Sequence, residues 1–390
     1  MKRTLNLILL VAICFIANAQ KVDLDKFTFT ANYRILPRKP LDSSYHTFDV
    51  SVKASSAIRN AVTTDLTSQV NILGWKRLNE RAHISVQTRM EDVIIEKNEL
   101  QQREEILTDK NGKETGRRIW YFQMVTYSFA AMADVIDYKG TPIMTIPLAS
   151  RDYKQNYKCN EFTTSTESNI DYKYGQATVL NQIINMVANK AISDLSSNLT
   201  SNFGYQETTV NDYLWVLNTR KNPENDSYKQ AWLTFKQAMY SMNANEPLDQ
   251  VVNMMQPTID YLNSLKRKYN TGSKADRKLR YSCFYNLAKI YYYLDMPDQA
   301  LAEASALQVN DFDESDGKRL EAAASALKAE LKQSQMHSRH FAINPDTYSG
   351  PYDTISNTTV STNTNTNTGS NTGGTSTNTS NRSSGKKRKY

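Results

Sequence analysis

The stretch LNQIINMVANKAISDLSSNL, residues 180–199, decides the fold. Its apolar residues recur every three or four positions, which is the period of an α-helix that buries one face. The stripe consists of Leu180, Ile184, Val187, Ala191, Leu195 and Leu199, widened by Ile183, Ala188 and Ile192. We predict a long amphipathic helix from about Gly175 to about Gly204, and such a helix needs an apolar surface to cover.

A mostly antiparallel sheet is the surface that the preceding residues predict. In residues 84–90 apolar and polar side chains alternate, as in a strand with one buried face. Alternating or β-branched segments also occur at residues 27–36, 45–52, 119–135 and 143–148. The turn signal Asn111-Gly112 lies between residues 84–90 and 119–135, so we expect these two segments to form a long hairpin.

A shorter helix completes this first domain. Ser55 or Ser56 can cap its start, and Gly74 is a suitable stop. One face of the helix would carry Ile58, Val62, Leu66 and Val70. Because a sheet with one apolar face needs a cover, we predict an α+β sandwich domain over residues 20–206. The order of its elements resembles that of the small α/β domains of envelope lipoproteins.

A helical domain follows at residues 207–335. From about residue 208 the strand signal vanishes and the helical period takes over. Short joints such as Asn245-Glu246-Pro247 and Asp295-Met296-Pro297 separate the helices. Short joints favour antiparallel helical hairpins.

Residues 284–301, FYNLAKIYYYLDMPDQAL, resemble a tetratricopeptide repeat. The positions that carry this resemblance are the large residues Phe284, Leu287 and Tyr291 and the small residues Ala288 and Ala300. Small residues let two helices approach closely, and the large ones fill the gaps around them. The sequence departs from the family at Ala304, where an aromatic residue is usual, and at Phe312, where proline is usual.

The resemblance implies a binding face on the first helix of this hairpin. The residues that would contact a protein or peptide partner are Tyr285, Asn286, Lys289, Tyr292 and Tyr293. Aromatic rings supply contact area at low entropy cost, and amide and ammonium groups hold backbone or carboxylate groups of a partner. An alternative stays open, in which some of these tyrosines pack against the neighbouring hairpin.

The first nineteen residues predict export. Met1-Lys2-Arg3 is a positive start, residues 5–16 are apolar, and Ala17-Asn18-Ala19 is a small-x-small cleavage site. Cys14 follows Ile13, where a lipoprotein signal requires a small residue. We therefore expect a periplasmic or outer-membrane-associated protein, with secretion as a further possibility. No later apolar stretch approaches the length of a membrane span, so we expect no transmembrane segment in the mature chain.

The formal net charge of the chain is +7, and most of the excess positive charge lies at the two ends of the sequence. A nucleic-acid-binding domain normally carries its charge on a folded face, so we expect no nucleic-acid partner. Residues 336–390 predict a disordered tail, because Ser, Thr, Asn and Gly dominate from residue 354 to residue 385. The basic end could contact an anionic surface through Lys386, Lys387, Arg388 and Lys389.

The motifs of common catalytic and metal sites are absent from the sequence. His46 and His83 have no neighbouring acid or nucleophile in sequence. His337 and His340 have a spacing that could bind a metal on a helix, but they lie at the entry to the tail, and we expect a solvated pair. We therefore predict no catalytic residue, no metal ligand and no cofactor. Cys159 and Cys283 are expected to be unpaired thiols, the alternative being one disulfide between the two domains.

These observations favour a non-catalytic envelope protein that docks a protein or peptide partner through its helical domain. The alternative is a glycan-binding module or hydrolase in the α+β domain. Its sugar platform would be built from Trp120, Tyr121 and Tyr127. Alternation places Trp120 on one face of its strand and the two tyrosines on the other, so only a subset of the three could cooperate.

Overall fold

The structure, a computed structural model, describes residues 21–353, and this part of the chain has the predicted α+β class. The strands are β1 Leu24–Ile35, β2 Thr47–Ala54, β3 Lys76–Arg77, β4 Ile84–Met90, β5 Ile94–Thr108, β6 Glu114–Ser128, β7 Ala131–Asp137, β8 Pro142–Ala149, β9 Gln155–Lys158 and β10 Gln206–Leu217. The helices are α1 Ser56–Ala61, α2 Ser165–Phe203, α3 Asn225–Ser241, α4 Asp249–Lys268, α5 Lys274–Tyr293, α6 Pro297–Val309 and α7 Glu314–Gln333. The predicted signal peptide and the basic end of the chain lie outside the described residues.

The central sheet has five strands in the order β3-β2-β4-β7-β8. β2 runs parallel to β3 and β4, whereas β4, β7 and β8 form an antiparallel meander. In the middle of the sheet Val86 lies opposite Val50 on one side and Val135 on the other. α1 and α2 cover one face of this sheet, so the predicted sheet with two covering helices is present.

The long helix α2 buries the predicted stripe. It begins ten residues before the expected Gly175, because Thr164 caps its start by accepting a hydrogen bond from the backbone N–H of Glu167. Its buried residues include Ile183, Ile184, Val187, Ala188, Ala191, Ile192, Leu195 and Leu199. These side chains form the core of the first domain together with the inward face of the sheet.

The short helix α1 begins as expected but ends early. Ser55 caps it through a hydrogen bond from the N–H of Ile58, yet the helix stops at Ala61 instead of reaching Gly74. After it, the carboxylate of Asp65 accepts hydrogen bonds from the N–H and hydroxyl of Thr67. Such local bonds compete with helical ones. The predicted apolar residues after the break, Val62, Leu66 and Val70, are nevertheless buried.

The predicted hairpin is present, but its first strand is different. The chain turns at Asp109–Lys113 as expected, and Gly112 adopts a positive φ of 80°. The strands that flank this turn are β5 and β6, whereas β4 pairs with β7. The apolar pattern does not predict β5, because its residues, IIEKNELQQREEILT, are mostly charged or polar and show no apolar alternation.

A further strand, β10, lies where no strand was expected. It pairs with β1 along twelve residues of each strand, from Leu24 opposite Leu217 to Ile35 opposite Gln206. Its inward side chains Leu214 and Val216 join Phe29 of β1 in a core with the helices α3, α4 and α5. The strand pair therefore crosses the predicted domain boundary at residue 206, and the division into two domains stays a prediction.

The helices α3 to α7 pack one after another, each on the next along the chain. α5 and α6 form the helical hairpin predicted for residues 284–301, with Ala288 and Ala300 buried. The family resemblance itself stays a prediction. Residues 336–351, expected to begin the tail, pack on the body instead, where Arg339 is only 2% exposed. No helix within residues 21–353 is long and apolar enough to cross a membrane.

The two described cysteines are unpaired, as expected. Burial raises the pKa of Cys283 to about 12, and burial also raises the pKa of the half-buried Cys159. Because thiolates are the reactive form, we predict that a thiol reagent at pH 8 leaves Cys283 unmodified in the native chain starting at Gln20. Both thiols should react in denaturant. Mass spectrometry of the labelled peptides checks this, and rapid native labelling of Cys283 would contradict it.

Candidate functional site

The residues predicted to bind a partner lie together on α5, but they do not face solvent. Tyr285 is completely buried, Asn286, Lys289 and Tyr293 are also buried, and Tyr292 is half-buried. The expectation of an exposed binding face is therefore wrong. β10 covers that face, and its existence was not anticipated from the sequence.

Asn286 completes the backbone hydrogen bonding of β10. Its side-chain oxygen accepts a hydrogen bond from the N–H of Trp215 at 2.9 Å, and its amide nitrogen donates to the C=O of the same residue at 2.7 Å. The amide nitrogen also donates to the hydroxyl of Tyr228 at 3.1 Å. Asn offers both an acceptor oxygen and donor N–H groups, so a helix side chain here does what a neighbouring strand would do.

Lys289 holds a second point of the same strand. Its ammonium donates to the carboxylate of Asp212 and to the C=O of Tyr213, and it lies 4.2 Å from the centre of the Tyr213 ring. Tyr293 donates its hydroxyl to the other oxygen of Asp212 at 2.7 Å. Burial lowers the pKa of Lys289, although Asp212 opposes this shift. The hydrogen-bond donors that we expected to contact a partner therefore bond to β10 of the same chain.

A buried ionic cluster lies where α5 ends. Asp295, in the left-handed region at φ 56°, accepts a hydrogen bond from the Arg339 side chain at 2.6 Å and lies 3.0 Å from Nδ1 of His340. Nε2 of His340 lies 2.9 Å from the C=O of Asn32 on β1. Arg339 also donates to the C=O of Tyr292 at 2.8 Å. This cluster ties the segment after α7 to both the α5–α6 turn and β1.

His340 is therefore buried, and the expectation of a solvated histidine pair is wrong for this residue. Both of its ring nitrogens face acceptors within the fold, so neither is available to a substrate. His83 is also buried, with Nδ1 2.7 Å from the hydroxyl of Thr47, and His46 stacks on Tyr348. Within residues 21–353 no group of three or more His, Cys, Asp or Glu side chains is placed to hold a metal ion.

The three rings proposed as a sugar platform do not form one. Tyr127 is buried in the core and donates its hydroxyl to Gln155. Trp120 is half-buried, donates its indole N–H to Glu105 at 2.6 Å and has the guanidinium groups of Arg103 and Arg118 near its ring. Tyr121 lies on the opposite face of the strand, as expected. These positions offer no common apolar surface to a sugar ring.

The hairpin arm, defined as β5, β6 and their turn, is the exposed element of this region. From Glu99 to Trp120 no side chain is buried. Three aliphatic side chains of this outer part, residues 99–120, are largely open to solvent, namely Leu100 at 43%, Ile106 at 55% and Ile119 at 43%. Single exposed aliphatic residues are common on protein surfaces, so these three make the outer part of the arm a candidate contact surface and no more than that.

The two edges of the hairpin arm differ. β9 pairs with β6 at residues 124–127, and Phe162 exchanges two backbone hydrogen bonds with Tyr121 further out. Arg103 of the arm forms a two-point ion pair with Glu161, at 2.5 and 2.7 Å. The hydrogen bonds from Arg103 and from Lys158 lower the pKa of Glu161 to about 2. β5 has β6 as its only strand neighbour among the described residues, so its outer edge is open.

A groove of about 620 Å³ lies between the loop at residues 40–46 and the segment that follows α7. Its walls include Leu41, His46, Tyr205, Phe341 and Tyr348. The groove is mixed in polarity and has no cluster of convergent charged groups. It does not indicate a particular ligand.

Comparison with known proteins gives little guidance. No protein-family model and no curated protein matches the chain. Among solved structures the chain is similar to a protein from Helicobacter pylori that is described as a neuraminyllactose-binding hemagglutinin homolog. The match covers 42% of this chain and 91% of that chain, with 9% sequence identity and a TM-score of 0.22. A TM-score this low carries no argument about fold or function.

We predict that Asn286→Ala lowers the free energy of unfolding by about 2 kcal/mol, because it removes the partner of the N–H and C=O of Trp215 and of the buried Tyr228 hydroxyl. Asn253→Ala on the exposed face of α4 is the matched control and should change stability by less than about 0.5 kcal/mol. Urea unfolding followed by circular dichroism measures both. Equal stability of the two variants would contradict the role given to Asn286.

The Asp295 cluster predicts a pH-dependent contribution to stability. Burial alone would raise the pKa of Asp295, but the hydrogen bond from His340 and the charge of Arg339 outweigh it and lower the pKa. A carboxyl whose pKa is lowered on folding stabilises the protein above its unfolded pKa, about 3.9, and this contribution is lost as pH falls through the folded pKa.

We therefore expect Asp295→Asn to cost about 3–5 kcal/mol at pH 7, because Arg339 is left buried without its counter-ion. Asn tolerates the left-handed backbone at this position, so the loss reports the charge and not the turn. The difference in the free energy of unfolding between the variant and the original chain should become smaller below roughly pH 4. Urea unfolding from about pH 3 to about pH 7 measures it, and a constant gap would contradict the assignment.

Proposed function

We propose that this protein is a non-catalytic assembly component of a bacterial cell envelope, and that it docks a protein partner through the hairpin arm. The observation that carries the proposal is an arm of two fifteen-residue strands whose outer part buries no side chain. An isolated two-stranded hairpin is at best marginally stable in water. A long arm with no core of its own is therefore best explained by a role in contact with another molecule.

In this proposal the hairpin arm binds the partner, whereas the sequence suggested that the helical domain does. Tyr285, Asn286 and Lys289 lie beneath β10, and two of them bond to it, so a partner could reach them only if that strand moved away. The helical domain supports docking in a different way, because α5 fixes the β1–β10 pair. Whether the α5–α6 hairpin belongs to a repeat family does not affect this proposal.

Export is part of the same proposal. The positive start, the apolar run and the Ala17-Asn18-Ala19 site support secretion across the inner membrane. The basic residues Lys386, Lys387, Arg388 and Lys389 support a secondary contact with an anionic envelope surface. No described residue favours the alternative of a glycan-binding module or hydrolase.

Site-specific photocrosslinking in the native host tests the docking role. A photoreactive amino acid at Ile106 or Ile119 should give a discrete crosslinked product, because both side chains project from the arm. The matched controls are Tyr174 on α2 and Tyr240 on α3, which are 81% and 71% exposed but lie outside the arm. Products from the control positions alone, or from none, would contradict the proposal.

A shortened arm provides the complementary variant. Gln102 and Tyr121 lie opposite each other in the hairpin, so an Asn-Gly turn can replace residues 103–120 and close the remaining strands. The deleted part buries no side chain, so the body should keep its fold. The crosslinked product should also be absent when the photoreactive group is placed at Leu100, which the shortened arm retains.

A further inference from the structure

The open edge of β5 carries an ordered pattern of charge. Lys97, Glu99, Gln101, Arg103 and Glu105 share one face, because they lie opposite the alternate residues of β6 from Thr126 to Arg118. Along this face the charges are positive, negative, neutral, positive and negative. Within one chain Lys97 pairs with Glu99 and Arg103 pairs with Glu161, but the side chains of Lys97, Glu99 and Arg103 stay 43–55% exposed, so a second strand can still reach them. When the face is read in the opposite direction about Gln101, each positive charge is replaced by a negative one and each negative charge by a positive one. A second copy of β5 running antiparallel therefore places an opposite charge at each charged position.

We propose that the partner of the hairpin arm is a second copy of this chain, and that the two β5 strands pair antiparallel about Gln101. This deepens the proposed function and rests on it. The pairing is a strand addition at an open sheet edge, in which main-chain hydrogen bonds provide affinity and side-chain pairs provide register. It joins the three-stranded sheets β5-β6-β9 of the two copies into one continuous six-stranded sheet.

The proposed register places opposite charges directly across from each other. Lys97 of each copy lies opposite Glu105 of the other, and Glu99 of each copy lies opposite Arg103 of the other. The two-fold symmetry makes each of these pairs occur twice. The other face brings Leu100 opposite Gln102 and Asn98 opposite Glu104, so it also places no like charges together.

The neighbouring registers are unfavourable, which makes the proposal specific. In a two-fold symmetric antiparallel pair the register changes in steps of two residues, because each face of one strand must stay beside the same face of the other. A shift in one direction places Glu99 opposite Glu105, and a shift in the other places Lys97 opposite Arg103. Like charges directly opposite each other destabilise a strand pair.

Charged side chains on an edge strand commonly prevent aggregation, and this function must be weighed against the proposal. If the charges of β5 served only to repel other strands, their signs would not need to alternate in an order that reverses about Gln101. On β5 the order leaves one symmetric register with complementary pairs and penalises the two beside it. The charges therefore favour this register of the two β5 strands over the two registers beside it.

Charge reversal at one of the proposed pairs tests the pairing in the purified full chain. Lys97→Glu places a carboxylate opposite Glu105, and Glu105→Lys places an ammonium opposite Lys97, in both copies of each homodimer. Each variant alone should raise the dissociation constant of the dimer roughly tenfold or more, because two attractive pairs become repulsive. Sedimentation equilibrium over a concentration series measures this constant.

An equimolar mixture of the two variants should recover the association. In the mixed dimer the Lys97→Glu site of one copy lies opposite the Glu105→Lys site of the other, which restores an attractive pair with its charges exchanged. The second pair, Glu105 of the first copy with Lys97 of the second, is unchanged. Lys110→Glu, at the turn of the arm and outside the paired segment, is the control and should dimerise like the original chain. Circular dichroism verifies that each variant is folded.

If Glu105→Lys does not fold, because Glu105 accepts the Trp120 indole hydrogen bond, Glu99→Arg and Arg103→Glu provide the same exchange. Glu161→Gln is then added to the Arg103→Glu variant, so that two carboxylates do not meet where the Arg103–Glu161 ion pair was. A chain that stays monomeric at every concentration, or a mixture that fails to associate, would overturn the pairing. Crosslinks from Ile106 to a different protein, together with a monomeric chain, would overturn self-pairing and leave the docking role in place. Absence of any crosslink from the arm would overturn both.

Discussion

The pairing of β1 with β10 is the constraint on which the rest of the structure depends. β1 is contributed by the start of the described chain and β10 by the segment that follows the long helix, so their twelve-residue ladder joins the two halves of the body. An exposed edge of such a ladder would be a liability, and Asn286 and Lys289 cover part of it by bonding to the backbone of Trp215 and Tyr213. The cluster around Asp295 then fixes the last packed segment to β1 through His340.

Much of the fold could be predicted because the apolar periods are strong. The stripe of α2, the strand at residues 84–90 and the turn at Gly112 are local patterns, and the structure confirms each of them. β5 and β10 could not be identified in this way. β5 is polar because it covers nothing, and β10 interrupts its alternation with Asp212, whose role appears only when Lys289 and Tyr293 are brought beside it.

The candidate site shows the same limit. The aromatic and polar residues of α5 that the sequence singles out lie together in the fold, but they are covered by β10. Sequence alone does not distinguish a surface that binds a partner from one that binds the chain's own strand. The charges of the hairpin arm are the reverse case. In the sequence they are typical of a solvated surface, and only the strand register shows that they share one face. Their order about Gln101 is visible in the sequence, yet it acquires meaning only on an open edge.

Hydrogen exchange of the full chain at low and high concentration tests the central claim, that the arm docks through an edge left open by the fold. Backbone amides of β5 that point away from β6 should exchange fast in dilute solution and gain protection as concentration rises. Amides of α5 should be protected at both concentrations, because they belong to the body. Protection of β5 that does not change with concentration would contradict the account.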